Sequence, residues 1–127
     1  MVADGKEFAK RTRCVVDQYS GYTIIDEIKI NGELTLGEDV ADLGGTILAY
    51  EAWRAATANQ KLAPIDGLNP DQRFFIGFAQ WACNVETDEN KRVRAKVDPH
   101  SPGKNRINGV VVNMPEFAAA FAIRQIV

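Results

Sequence analysis

Apolar residues recur at helical spacing through most of the chain. From Glu7 to Tyr19, the positions Phe8, Thr12, Val15, Val16 and Tyr19 share a face, with Lys10, Arg13 and Asp17 on the remaining surface. Ser20-Gly21 supplies the stop. A longer helix is predicted from Leu36 to Asn59, with Leu36, Val40, Leu43, Ile47 and Tyr50 as its core face and Trp53 near its far end. Thr35 and Glu38 have the spacing of a capping box and set its start. Asn69-Pro70 opens a third helix, with Pro70 in the tolerated first turn and Gln72 at capping distance. Phe74, Phe75, Phe78, Ala79 and Ala82 give it a thick apolar face, and Trp81 is expected in the core beside them. The charge-rich stretch Asp88 to Lys96 reads as a short helix leading to Val97, with Lys91-Arg92-Val93-Arg94 facing water. A last helix is capped by Asn113, carries Pro115 in its first turn, and runs to Ile126 with Phe117, Ala120, Phe121 and Arg124 on or near one face.

The segments between these helices read differently. Tyr22 to Ile30 is rich in β-branched residues and is either a short strand or an extended segment. Asn31-Gly32 is a turn signal that pairs Ile28–Ile30 with Leu34–Leu36 in a small hairpin. Pro99, Pro102 and Gly103 predict a loop from Asp98 to Asn108, and Val110–Val112 is a short extended run. No repeat, low-complexity stretch or interior linker divides the chain, so residues 1–127 are expected to form a single, mainly α domain.

Composition narrows the classes. Apolar residues make up 46% and charged residues 25%, the balance of a globular protein, and the net charge of −2 does not imply a nucleic-acid partner. No apolar run is long enough to span a membrane, and Met1 to Lys6 lacks the apolar core of a signal peptide. The two cysteines, Cys14 and Cys83, have no metal-binding spacing.

Candidate chemistry gathers at three places. Glu38 and Asp42 are four residues apart and stack on one helix face, where they call for a cation above them. Gly44 and Gly45 follow inside the helix, each costing about 1 kcal/mol relative to alanine, which predicts close approach by another element; Gly45 and Ala49 continue the Asp42 face as a small-residue strip. Asp98 precedes His100 by two residues, close enough to keep the imidazole cationic. Arg106 ends the same segment. Taken alone, each has an ordinary reading: a cap, a surface histidine, a solvated cation.

The wording around them is specific. Asn31-Gly32-Glu33-Leu34-Thr35-Leu36-Gly37-Glu38-Asp39-Val40-Ala41-Asp42-Leu43-Gly44-Gly45 closely resembles the neprilysin-type zinc metallopeptidases, family M13. So do Asp98-Pro99-His100-Ser101-Pro102-Gly103-Lys104-Asn105-Arg106 and Asn108-Gly109-Val110 through Asn113-Met114-Pro115-Glu116-Phe117, in the same order. The resemblance extends from about Phe8 to Ile123. It implies the C-terminal helical subdomain of a zincin-type metallopeptidase, with short extended segments and loops. It further implies that Glu38 is the third zinc ligand and that Asp42 orients a ligand histidine. On the same ground His100, oriented by Asp98, donates to the oxyanion on the scissile carbonyl, and Arg106 holds the substrate backbone. Peptide substrates, a zinc cofactor and a periplasmic, extracellular or membrane-anchored parent follow from the same source. Relatives carry an aromatic one position beyond Trp81, so no pocket role passes to Trp81. The cysteine partners seen in animal members are absent, which implies free, buried thiols.

One departure is decisive. The chain has a single histidine, His100, and no H-E-x-x-H, so two zinc ligands and the general-base glutamate are missing. The chain is therefore expected to be the C-terminal part of a longer peptidase, Met1 being an artificial start or the product of a truncated gene. Alone it is expected to bind no zinc tightly and to self-associate through surface left uncovered around Val40, Leu43 and the Phe74–Phe78 helix, exchange of the last helix being one route. The alternative is a non-catalytic helical module that binds a protein partner or itself.

Overall fold

A computed structural model describes residues 2–123, and the predicted continuation through Arg124 to Ile126 lies outside the described residues. Among the described residues the chain forms α1 (Val2–Ser20), β1 (Thr23–Ile25), β2 (Ile28–Lys29), α2 (Gly32–Thr57), α3 (Pro70–Gln80), α4 (Asp88–Val97), α5 (Gly103–Val111) and α6 (Pro115–Ala120). It is mainly helical, and no helix among the described residues is long and apolar enough to cross a membrane.

Helix α2 is the spine. Its first half packs on α1 around buried Val15, Tyr19 and Ile30, with Tyr22, Ile24, Leu36 and Val40 closing over them. Its second half carries Leu43 and Tyr50 to a cluster of buried Phe75, Val110, Val111 and Met114, which Phe74, Phe78, Phe117 and Phe121 surround. Each fully buried aliphatic or aromatic side chain contributes about 1.5–3 kcal/mol, so these two clusters hold the helices together. Tyr50 stacks on Phe75 with ring centroids 5.3 Å apart and donates its hydroxyl to Asp71 at 2.8 Å, fixing α3 to α2. Within α3 the capping box is as predicted, Asn69 and Gln72 exchanging side-chain and backbone hydrogen bonds at 2.9 Å.

Several expectations are corrected. Helix α2 begins at Gly32, not at Thr35: the Asn31 side chain accepts from the Leu34 N–H and caps it. The predicted turn at Asn31-Gly32 is thus a cap, and Gly32 serves packing. A Cβ there would lie 2.4 Å from the Val16 carbonyl oxygen and 2.6 Å from Ser20 Oγ. The hairpin lies earlier, Ile25 opposite Ile28, with Asp26 taking a positive φ of 51° in the turn. Asp98 to Asn108 is not all loop: Pro102 stands at the start of α5, where its missing N–H is harmless, and burial of Val110 and Val111 turns the expected extended run into helix. Asn113 does not cap the last helix, which Met114 precedes; its amide instead donates to Gln18 Oε1 and the Gly109 carbonyl. Phe8 and Ile47 are exposed rather than core, and Trp81 is 52% exposed. Cys14 and Cys83 are free, but both are exposed.

Candidate active site

Glu38 and Asp42 project from successive turns of α2, and the cation their spacing demands is Arg106 of α5. Its Nε and Nη2 donate to Asp42 Oδ2 and Oδ1 at 2.5 and 2.7 Å, a planar fork meeting a planar carboxylate. Nη2 also reaches Glu38 Oε2 at 3.4 Å. The hydrogen bond to Asp42 is the main reason the Arg106 proton is held even more firmly than usual. Arg106 and Asp42 are largely shielded from water, and the indole of Trp81 covers the guanidinium at 4.8 Å from the ring centroid. Trp81, just past the end of α3, thus lies half-exposed over this cation rather than in the core.

The neighbouring segment brings His100 to the same place. Its Nδ1 lies 2.7 Å from Asp98 Oδ1, which also accepts the His100 backbone N–H at 2.9 Å. Its Nε2 faces Glu38 Oε2 at 3.4 Å. Arg94 of α4 donates to the other Asp98 oxygen, Oδ2, at 2.6 Å and also pairs with Glu86. Burial works to raise the Asp98 pKa. The hydrogen bonds from the His100 backbone, the His100 ring and Arg94 together outweigh it and hold it at about 2. An ionised carboxylate accepts only, so Nδ1 carries a proton and Nε2 is the nitrogen presented outward.

The five residues singled out in the sequence, Glu38, Asp42, Asp98, His100 and Arg106, therefore meet at one surface. The direct pairing of Arg106 with Asp42 was not anticipated. Arg94 was read as part of a solvated run, although its four-residue spacing to Asp98 was a visible sign of a pair. Asp39 and Ser101 were missed as well. Both are buried, and Asp39 Oδ2 accepts from Thr35 at 2.7 Å and from Ser101 at 3.1 Å. Burial holds the Asp39 carboxyl above its usual value, and the two hydroxyls offset only part of that rise. Among the described residues, no group of three or more His, Cys, Asp or Glu side chains is arranged to hold a metal ion.

The profile of peptidase family M13 matches residues 1–126. The chain is 45% identical over 117 residues to an endothelin-converting enzyme homolog of Locusta migratoria, and 38% identical over 121 residues to neprilysin-1 of Caenorhabditis elegans. These alignments cover 90% and 91% of this chain but 16% of each relative. Among solved structures, Mycobacterium tuberculosis zinc metalloprotease Zmp1 in complex with an inhibitor matches 94% of this chain and 19% of its own, with a TM-score of 0.86 at 36% identity. The same enzyme in an open state matches at a TM-score of 0.85. The chain thus spans about a sixth of the length of the curated relatives it matches.

Proposed function

The chain belongs to peptidase family M13, and from that premise we propose that it is the C-terminal portion of a zinc-dependent endopeptidase that hydrolyses peptide bonds in oligopeptides. The observation that carries this reading is the convergence of Glu38, Asp42, Asp98, His100 and Arg106, from separate stretches of sequence, on one surface. In such an enzyme a bound zinc would supply the activated water that attacks the scissile carbonyl. The donors present here do not by themselves fit a catalytic zinc centre, which takes three protein ligands. Glu38 offers one carboxylate, short of the three ligands such a centre needs. Glu38 is the zinc ligand this segment contributes when an H-E-x-x-H helix supplies the others.

The remaining roles belong to the chain's own side chains. Asp98 keeps the proton on His100 Nδ1 and fixes the ring plane. With both ring nitrogens protonated, Nε2, facing outward, donates to the oxygen on which charge develops. Asp42 is the anchor that holds Arg106 in place, and it orients a ligand histidine when one is present. Arg106 holds a backbone carbonyl of the substrate. A companion reading, that the isolated chain pairs with a second copy, is favoured by the open α2 face at Gly44, Gly45 and the exposed Leu48.

The test uses an enzyme in which this segment follows its H-E-x-x-H helix. Glu38→Gln is expected to lose bound zinc and activity together. His100→Ala is expected to retain zinc and lose kcat by about 100- to 1000-fold, the cost of one oxyanion donor. Release of zinc by His100→Ala overturns the assignment.

A further inference from the structure

Each partner in the Glu38–His100 contact is followed in sequence by a buried one. Asp39 on α2 and Ser101 on the loop before α5 are each 1% exposed. Neighbours on a helix point about 100° apart, so Asp39 faces inward while Glu38 faces out. Ser101 Oγ donates to Asp39 Oδ2 at 3.1 Å, and the residue before each of these two takes part in the outer contact, His100 Nε2 to Glu38 Oε2 at 3.4 Å. The outer contact is too long to be a good hydrogen bond. Asp98 and Arg94 hold His100 to its own loop and to α4, not to α2. A buried carboxylate is costly unless hydrogen-bonded, and an apolar pair would fill the same space without that cost. What a hydroxyl–carboxylate bond supplies instead is a fixed direction and distance.

We propose that the Asp39–Ser101 hydrogen bond is the positioning contact that fastens the His100 loop to α2 and so sets the spacing of His100 from Glu38. The proposal rests on the reading of those two as active-site residues. Asp39 and Ser101 touch no substrate in this account; they act through their neighbours. Thr35 shares the same carboxylate oxygen, but it lies on α2 itself and ties nothing to the loop.

Nuclear magnetic resonance on this chain tests it, because His100 is the single histidine and its signals are unambiguous. Ser101→Ala is expected to drop the His100 order parameter from the rigid range of about 0.85 to below about 0.6 while α1 and α2 stay rigid. Asp39→Asn keeps an acceptor oxygen and is expected to keep His100 ordered. Thr35→Val, which removes the other hydroxyl from the same carboxylate, is expected to lower stability without loosening His100. Should Ser101→Ala fail to fold, Ser101→Cys, a weaker donor of similar size, gives the same readout. A His100 that stays rigid without the Ser101 hydroxyl, or loosens equally in Thr35→Val, overturns the proposal. No turnover is measured, so the two failures are distinct. A negative result here leaves the role of His100 standing. Unchanged turnover in His100→Ala removes that role and leaves the fastening.

Discussion

Asp98 divides its carboxylate between two partners: Oδ1 serves the backbone and ring of His100, and Oδ2 serves Arg94. Its pKa in the folded chain, about 2, lies below the usual 3.8. A depressed carboxylate stabilises the fold above its unfolded value and loses that contribution as pH falls through its folded one. Urea unfolding of the natural chain and of Asp98→Asn is therefore expected to show a stability gap that is full above about pH 4 and closes towards pH 2. A gap that stays constant over that interval contradicts the arrangement. The Asp98–His100 pair was legible because both partners stand two residues apart in one distinctive stretch. Arg94 was less so, since a run of basic residues is usually a solvated face. Asp39 and Ser101 were invisible because nothing local marks a hydroxyl and a carboxylate as partners across the fold.

At the scale of elements, glycine carried two different meanings that spacing alone does not separate. Gly32 is the contact point of α1 and α2, and a side chain there would strike the Val16 backbone. Gly32→Ala is expected to destabilise by about 1–3 kcal/mol, the usual cost of forcing atoms into a packed contact. Gly44 and Gly45 were expected to meet another element, and among this chain's own residues a Cβ built on either meets nothing within 4 Å. Gly44→Ala is expected to stabilise it by up to about 1 kcal/mol through helix propensity. Thermal or denaturant unfolding of the two variants checks both signs, and a destabilising Gly44→Ala would point to a contact on that face. The start of helix α3 was readable to the residue because its cap and its proline agree, whereas its end at Gln80 falls short of the Trp81 and Ala82 expected on it. Helix α5 was not, because two prolines and a glycine near its start look like breakers, while the burial of Val110 and Val111 that favours the helix is a tertiary fact.

At the scale of the whole molecule, the mainly helical fold and the family were both legible, the first from periodicity and the second from three worded stretches. The surface left open was only partly legible: Val40 and Leu43 pack into the clusters, whereas Ile47, Leu48 and Trp81 are exposed. Light scattering of the isolated chain at about 100 μM, well above the micromolar range of a modest interface, is expected to give a mass above the monomer. A strictly monomeric mass there removes the self-association reading. On the proposed reading, this chain brings one zinc ligand and the substrate-facing residues of a peptidase site, without the ligands that would complete it. Calorimetric titration of zinc into the purified chain, alongside a peptide-hydrolysis assay, tests this most directly. No one-to-one binding tighter than about micromolar is expected, and no chelator-sensitive cleavage; submicromolar one-to-one binding together with such cleavage would overturn this reading.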